Sequence, residues 1–574
     1  MKKLIRIAFF LFIPIIAILP LLHQGYFSMH DRQHVVRLFL LDTGIKQGIL
    51  YPRWVDGLGF GFGYPLFNFY PPLIYYVAKF FHFFGFNYIW SIKLMLILGF
   101  YLAYGGMFLL LKKLFKNSWV ALLGATLYLY APYHAVLVYV RGAFAEFYAY
   151  NLLPWVFLGF VKLDKQKQIW FFSLVLALLI LAHPLIAFPF VLLFSLFFIF
   201  YWLLHDNKLQ LFLYTFGAAL LGLGLSAFFW LPSLWERQFT LVNKILITQL
   251  ANYNLHFVYL RQLWHSAWGY GGSLYGLLDG MSFEIGKFSL VLSVISVIGA
   301  IFLWFKKKQD QFIVKLFPYL ILTFTAIFLI TFHSRFIWDH ISYLWYLQFP
   351  WRFLVYVVFG LAVIGPVFLL FIKERKIKLT ITLIIVIAIL VFSYQYFQPE
   401  KYLSDKDELY LTKEQIQWEQ SKTSFEFMYR EVRTEVQPDN TTKLMIAKAG
   451  LPKGITQANK ELRINERINK FNYKELEIKG ENKTSLVFNV SYFPGWQVYL
   501  DGKKVSLKKT GNLQLITVTI PKGQHLIELK FENTLVRALS WIISGFSWLI
   551  LVGLIIQDLF LQKKKDKPSF AHQA

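Results

Sequence analysis

Ten consecutive residues, Ser28-Met29-His30-Asp31-Arg32-Gln33-His34-Val35-Val36-Arg37, bring together one carboxylate, two imidazoles and two guanidiniums. On a helix, His30 and His34 are four apart and Asp31 and His34 three apart, so they would share one surface. A carboxylate beside imidazoles suits a general base, or one arm of a divalent-cation site. The same spacing fits a quieter role, because Ser28-x-x-Asp31 is a capping-box pattern in which Asp31 only satisfies a helix N-terminus.

A second group is Tyr133-His134 followed by Arg141-Gly142-Ala143-Phe144-Ala145-Glu146. Glu146 opens an apolar run, and an ionisable group at membrane depth is costly enough to be a functional candidate. An ion pair with Arg141 is the alternative. Asp31 and Glu146 are thus the candidate catalytic carboxylates, and Asp31, His34 and Glu146 are the side chains available to a divalent cation. Arg352, in Gln348-Phe349-Pro350-Trp351-Arg352-Phe353, offers a planar fork to a phosphate or snorkels to headgroups. His265 precedes Trp268-Gly269-Tyr270-Gly271-Gly272. Arg53 and Trp54 sit in Tyr51-Pro52-Arg53-Trp54, where the surrounding prolines and rings give Arg53 a structural look. His183, inside a short apolar run, reads as a helix-packing residue. The glycines between Gly57 and Gly63 do not lie between a strand and a helix, which rejects a phosphate-cradling loop.

The elements that position these groups are membrane spans. Of 574 residues 57% are hydrophobic and the mean hydropathy is +0.50, beyond the range of soluble domains. The net charge of +26 is dispersed at the ends of apolar runs, so it reads as topology signals and lipid anchors, not a nucleic-acid surface. The absence of cysteine excludes thiolate chemistry.

Runs near 4–23, 88–111, 118–133, 146–162, 169–183, 185–204, 209–231, 285–305, 313–331, 351–372, 379–397 and 538–561 predict about twelve helices. The clusters Lys112-Lys113-Lys116, Lys162-Lys165-Lys167, Lys208, Lys306 to Lys308, Lys373-Arg375-Lys376 and Lys563 to Lys565 then share one side with Met1-Lys2-Lys3. Positive charge marks that side as cytoplasmic, with both termini there and the first run retained as a span. The aromatic stretch 72–84 is too short to cross and reads as interfacial or re-entrant.

The domains predicted are a transmembrane domain over 1–397, with outer-face loops 24–87, 134–145, 232–284 and 332–350, then 398–537, and a final helix with a basic cytoplasmic tail over 538–574. Within 398–537 the period changes to two at Ser485 to Val490, Gln497 to Leu500, Leu515 to Ile520 and His525 to Phe531. Asp501-Gly502 is a hairpin signal, and a small extracytoplasmic β-sandwich follows, with 401–435 more helical or irregular.

Taken together, these segments resemble the bacterial membrane proteins labelled 6-pyruvoyl-tetrahydropterin synthase-related, which are similar to the GT-C class of integral membrane glycosyltransferases. The likeness rests on His30-Asp31 with His34 and Arg37, Tyr51-Pro52-Arg53-Trp54, the Gly-Tyr-Pro and Tyr-Pro-Pro stretch, Arg141 to Glu146, Trp268-Gly-Tyr-Gly, and Phe349-Pro-Trp-Arg352. The tail from Tyr492 to Gly502 is similar to the extracytoplasmic β domain of large bacterial membrane proteins of envelope glycosylation. The label does not imply pterin chemistry.

What the resemblance implies is a polyprenyl-phosphate-linked sugar donor bound from the outer leaflet, and a cell-envelope glycan or glycolipid acceptor. It makes Asp31 the assisting carboxylate of the first outer loop and Glu146 a second one. His30, His34, Arg37, Arg53, Trp54, His134, Arg141, His265 and Arg352 become the substrate-binding candidates. The first outer loop lacks Asp-x-Asp, since Arg32 and Gln33 follow Asp31, which fits a monophosphate donor and leaves a divalent cation open. An inverting glycosyltransferase leads; a lipid-intermediate flippase or transporter and a non-catalytic envelope-assembly scaffold are the alternatives.

Overall fold

The computed structural model describes residues 9–245, 252–306, 310–437, 442–457 and 459–565. The chain is a helical polytopic membrane protein with a β-rich unit inserted before its last helix. Eight described helices are long and apolar enough to cross a bilayer: Tyr88–Phe115, Phe144–Asp164, Pro184–Leu203, Lys208–Leu225, Lys287–Phe305, Pro350–Leu370, Arg375–Tyr396 and Leu535–Leu561. Ser118–Leu129 with Pro132–Val140, bent by 50°, and Val314–Ile330 with Phe332–His340, bent by 86°, raise the number to ten if each pair is one span.

The expected count of about twelve is reached only by adding two shorter apolar helices, Phe9–Leu22 and Ile169–Ala182. At 1.5 Å per residue the latter is about 21 Å long, short of the ~30 Å hydrocarbon core. Residues 4–8 of the first expected span, and Lys307 and Lys308, lie outside the described residues.

Phe144–Asp164 and Pro350–Leu370 are almost wholly buried, whereas Arg375–Tyr396 and Leu535–Leu561 are mostly exposed. All four are apolar nearly all round, so burial separates a central pair from a rim whose free apolar face requires lipid. Close packing at the centre uses small residues: a Cβ on Gly106 would fall 2.5 Å from Trp155 Nε1. The 72–84 stretch forms the helix Leu73–Phe83, which buries Ile74, Tyr75 and Ala78 and exposes Phe80 and Phe83.

The helix expected to lie amphipathically along the interface up to Gln47 is instead His34–Lys46, and it is buried on most sides. It lies beneath the C-terminal part of the chain, which supplies Tyr410, Ile416 and Met428 to the same apolar core. Its buried Asp42 is satisfied by Lys46 (2.8 Å), Lys79 and the Tyr88 hydroxyl (2.7 Å).

The β-rich unit has eight strands, labelled β1 (Leu462–Lys470), β2 (Tyr473–Gly480), β3 (Thr484–Ser491), β4 (Trp496–Leu500), β5 (Lys503–Val505), β6 (Lys508–Thr510), β7 (Leu515–Ile520) and β8 (Gly523–Phe531). Two antiparallel sheets, in the orders β1-β2-β8-β4-β5 and β6-β7-β3, enclose Leu476, Ile478, Phe488, Val498, Val518 and Ile527. Asp501 and Gly502 take positive φ (50° and 77°) between the paired Leu500 and Lys503, as the two-residue hairpin requires.

Where the last helix leaves the sandwich, buried Arg537 donates to Glu236 Oε2 (2.8 Å) and to the Pro494 carbonyl (2.9 Å). Asn68 and Thr534 donate to the same carboxylate (2.8 and 2.7 Å), so one buried anion ties the first loop, the helix Ala227–Glu236 and the last helix together.

Candidate functional site

Residues 28–31 are irregular, not helical, with a bend at His30. The Ser28 N–H donates to the Lys401 carbonyl, the His30 N–H to Val140 and the Asp31 N–H to Arg141, each at 3.0 Å. These bonds tie residues 28–31 to distant segments, and the helix begins at His34. His30 and His34 therefore do not share a helical face, and no capping box forms at Ser28. The Ser28 hydroxyl instead accepts the Lys401 N–H (3.0 Å).

This pairing brings the four expected loops to one place. His30 Nε2 donates to the Tyr270 carbonyl (2.9 Å), drawing in the third loop. The Arg141 guanidinium covers the Trp351 ring at 4.3 Å, drawing in the fourth. Asp31 is solvent-accessible, yet protein atoms crowd it closely. Among the described residues its carboxylate has no hydrogen bond or ion pair. Crowding raises its pKa above the usual carboxylate value, opposed by the charges of Arg141, Arg37, His30 and Arg352.

Glu146 stands differently. It is buried, with Oε2 facing Arg141 Nη1 (3.0 Å) and Arg352 Nε (3.6 Å), while Oε1 accepts from the Tyr133 hydroxyl (2.6 Å). Both oxygens are occupied, which makes Glu146 the holder of two arginines and leaves Asp31 as the free carboxylate. Arg352 Nη1 also donates to the Leu347 carbonyl (2.5 Å), and its buried Nε has no hydrogen-bond partner. His183, read from sequence as helix packing, sits at the break between Ile169–Ala182 and Pro184–Leu203, within electrostatic reach of Glu146, Arg352 and Arg141. Its Nδ1 is buried without a hydrogen-bond partner.

His34 is locked. Its Nε2 lies 2.7 Å from the Gly142 carbonyl and its Nδ1 3.1 Å from the Tyr75 hydroxyl, and its ring stacks on Phe144 at 4.1 Å. The carbonyl can only accept, so Nε2 carries the proton and Nδ1 accepts from Tyr75. Burial lowers its pKa to about 3 and keeps it neutral. Asp31, His34 and Glu146 therefore do not form a ligand set, and no three His, Asp or Glu side chains among the described residues are grouped to hold a metal. Arg37 lies 3.8 Å over the Tyr70 ring and donates to Gln33 and Ser424.

Four of the sequence candidates fall elsewhere. His134 is a core residue held by the Leu129 carbonyl (2.8 Å) and Asn151 (2.9 Å). Arg53 binds Asn68 (3.0 Å) and the Phe228 carbonyl (2.6 Å). Trp54 is buried against Trp496 of the sandwich, ring centroids 5.4 Å apart. Together with Asn472, Phe531 and Trp541, Arg53 and Trp54 line a separate cleft of about 350 Å³. His265 is exposed beside Glu284 at 3.6 Å, a carboxylate that also receives the Tyr396 hydroxyl (3.2 Å). Glu426, absent from every sequence motif, is linked to Arg37 through Ser424, whose hydroxyl donates to it at 3.2 Å. Its signal is wholly tertiary.

An accessible carboxylate facing three guanidiniums can take a proton from one reactant while the cations hold an anion on another. Residues 67–399, more than half the chain, match the 6-pyruvoyl-tetrahydropterin synthase related membrane-protein domain. The chain belongs to this family. Within the matched stretch lie Arg141, Glu146, His183 and Arg352, while Asp31 and Arg37 precede it. Residues 434–543, which include the sandwich, match the bacterial membrane protein YfhO. No curated protein matches the chain. Among solved structures it is similar to the mycobacterial arabinofuranosyltransferase AftD, with 11% identity and a TM-score of 0.42 over 70% of this chain. The chain spans 28% of AftD's length.

Proposed function

We propose that this family member is a GT-C-type integral membrane glycosyltransferase. It transfers a sugar from a polyprenyl-phosphate-linked donor to a cell-envelope glycan or glycolipid on the outer membrane face, with both termini cytoplasmic and 398–537 extracytoplasmic. The observation that carries the reading is Asp31: solvent-accessible, its carboxylate without a hydrogen bond or ion pair among the described residues, and acted on by the charges of Arg37, Arg141 and Arg352. In the reaction an acceptor hydroxyl oxygen bonds to the sugar C1 as the C1–O bond to phosphate breaks. The hydroxyl proton passes to Asp31, and the electron pair leaves with the polyprenyl phosphate, whose charge Arg141 and Arg352 stabilise. Glu146 pairs with both guanidiniums, so they act on Asp31 through their charge and not through a direct ion pair.

A lipid flippase is the second reading, favoured by the 50° and 86° breaks in two spans, since broken helices mark transporter sites. Mass spectrometry of envelope lipids and glycans separates the two, using cells that lack the chain and are complemented with the native form or Asp31→Asn at equal membrane levels. The transferase reading expects a glycoform to vanish and only the native form to restore it, with Asp31→Asn reduced about 10²–10⁴-fold. Full restoration by Asp31→Asn removes Asp31 as the base and favours transport.

A further inference from the structure

The segment 420–427 crosses the first loop like a strap. Ser421 Oγ accepts the Phe60 N–H (2.9 Å), Thr423 Oγ1 accepts Gln33 Nε2 (2.9 Å), Ser424 Oγ accepts Arg37 Nη2 (3.4 Å), and the Phe427 N–H donates to the Tyr64 hydroxyl (3.1 Å). Four such bonds within seven residues fix its path. The Ser424 hydroxyl accepts from Arg37 (3.4 Å) and donates to Glu426 Oε1 (3.2 Å), and the Arg37 charge acts on both the Asp31 and the Glu426 carboxyls. Glu426 remains partly accessible and has no ion pair among the described residues.

Two kinds of chemistry therefore meet around Asp31 and Arg37. The side built on spans offers Arg141 and Arg352, suited to the phosphate of a ligand anchored in the leaflet. The strap side offers the Glu426 carboxylate, the exposed Thr423 hydroxyl oxygen and the second N–H of the Gln33 amide, groups that suit a hydroxyl-rich chain. A lipid-linked donor approaches from the bilayer, which leaves the strap side to the other reactant.

We propose that the 420–427 strap forms the acceptor subsite, in which Glu426, oriented by Ser424, holds a carbohydrate chain so that one of its hydroxyls meets Asp31. The inference rests on the glycosyl-transfer reading and assigns the acceptor's chemical class and its binding residues. Crowding raises the Glu426 pKa, so its carboxyl is suited both to accept from a hydroxyl and, when protonated, to donate to one.

The test uses the full chain carrying Glu426→Gln or Glu426→Ala, with Asp31→Asn alongside, and two readouts. Binding of undecaprenyl phosphate to the purified chain in lipid nanodiscs reports the donor side. The envelope glycoform lost in the deletion strain, measured by mass spectrometry, reports transfer. Both Glu426 variants are expected to bind undecaprenyl phosphate within about twofold of native while the glycoform falls about tenfold or more, the loss of one hydrogen bond to a charged group. Glu426→Gln keeps the shape and decides the matter if the alanine variant does not accumulate. Native glycoform levels in Glu426→Gln overturn the subsite, as does a loss of undecaprenyl-phosphate binding that parallels the loss of transfer. A native chain that neither binds undecaprenyl phosphate nor restores a glycoform overturns the glycosyl-transfer reading itself, a result distinct from either.

Discussion

Asp31 and Glu146 show how two carboxylates that look alike in sequence are divided by their surroundings. Each stands at the edge of an apolar run, and that much is readable from the chain. The division is not, because it depends on Arg141 and Arg352 both turning to Glu146 and on the Tyr133 hydroxyl filling its other oxygen. His183 and Glu426 were illegible for the same reason: nothing in their sequence neighbours places them beside arginines 141 and 37. The raised Asp31 pKa has a consequence for stability. The folded chain binds that proton more tightly than the unfolded chain, so the contribution is full below the unfolded value of about 3.9 and is lost as pH rises through the higher folded value. Asp31→Asn removes this dependence. Its thermal midpoint in detergent is expected to equal or exceed that of the native chain at pH 7, with the gap closing towards pH 4. A native chain that gains on the variant as pH rises would show that Asp31 is paired in the fold.

At the scale of elements, apolar runs located the spans because a helix that meets lipid must be apolar over its length. Strands β3, β4, β7 and β8 were legible from alternation. β1 and β2 were not, since Leu462–Lys470 and Tyr473–Gly480 carry charges at most outward positions and so lack an apolar run. The expected helix over 28–33 failed because i,i+4 spacing says nothing of a pairing with residue 401. One turn holds the site together. Gly142 has φ +66°, its carbonyl receives His34, and a Cβ there would fall 2.6 Å from Met29 Sδ. Gly142→Ala is expected to cost about 1–2 kcal/mol in backbone strain and to displace the Asp31 segment, lowering glycoform output more than membrane level. Adding Met29→Ala relieves the steric part only, so the double variant should recover partially in the same complementation assay.

The whole molecule depends on a buried ion pair at the seam between its helical and β-rich parts. Arg537 and Glu236 are both buried, and removing one partner leaves an uncompensated charge. Arg537→Met is expected to destabilise by about 3–5 kcal/mol, and Glu236→Leu with Arg537→Met together by much less. Limited proteolysis of membranes, followed by blotting for the β-rich part, distinguishes them: the single variant is cut readily and the double one resists.

The short strand Tyr26–Phe27 pairs with Tyr402–Leu403, and Arg37 donates to Ser424. These contacts join an early segment of the chain to one made far later. At about 5–20 residues per second, the ribosome needs roughly 20–75 s after making residue 27 to make its partner. Through that interval the nascent first loop has no mate for its backbone and no strap over its carboxylate. The surroundings of Asp31 are thus completed only after ten or so helices have been made, and a half-made chain lacks them.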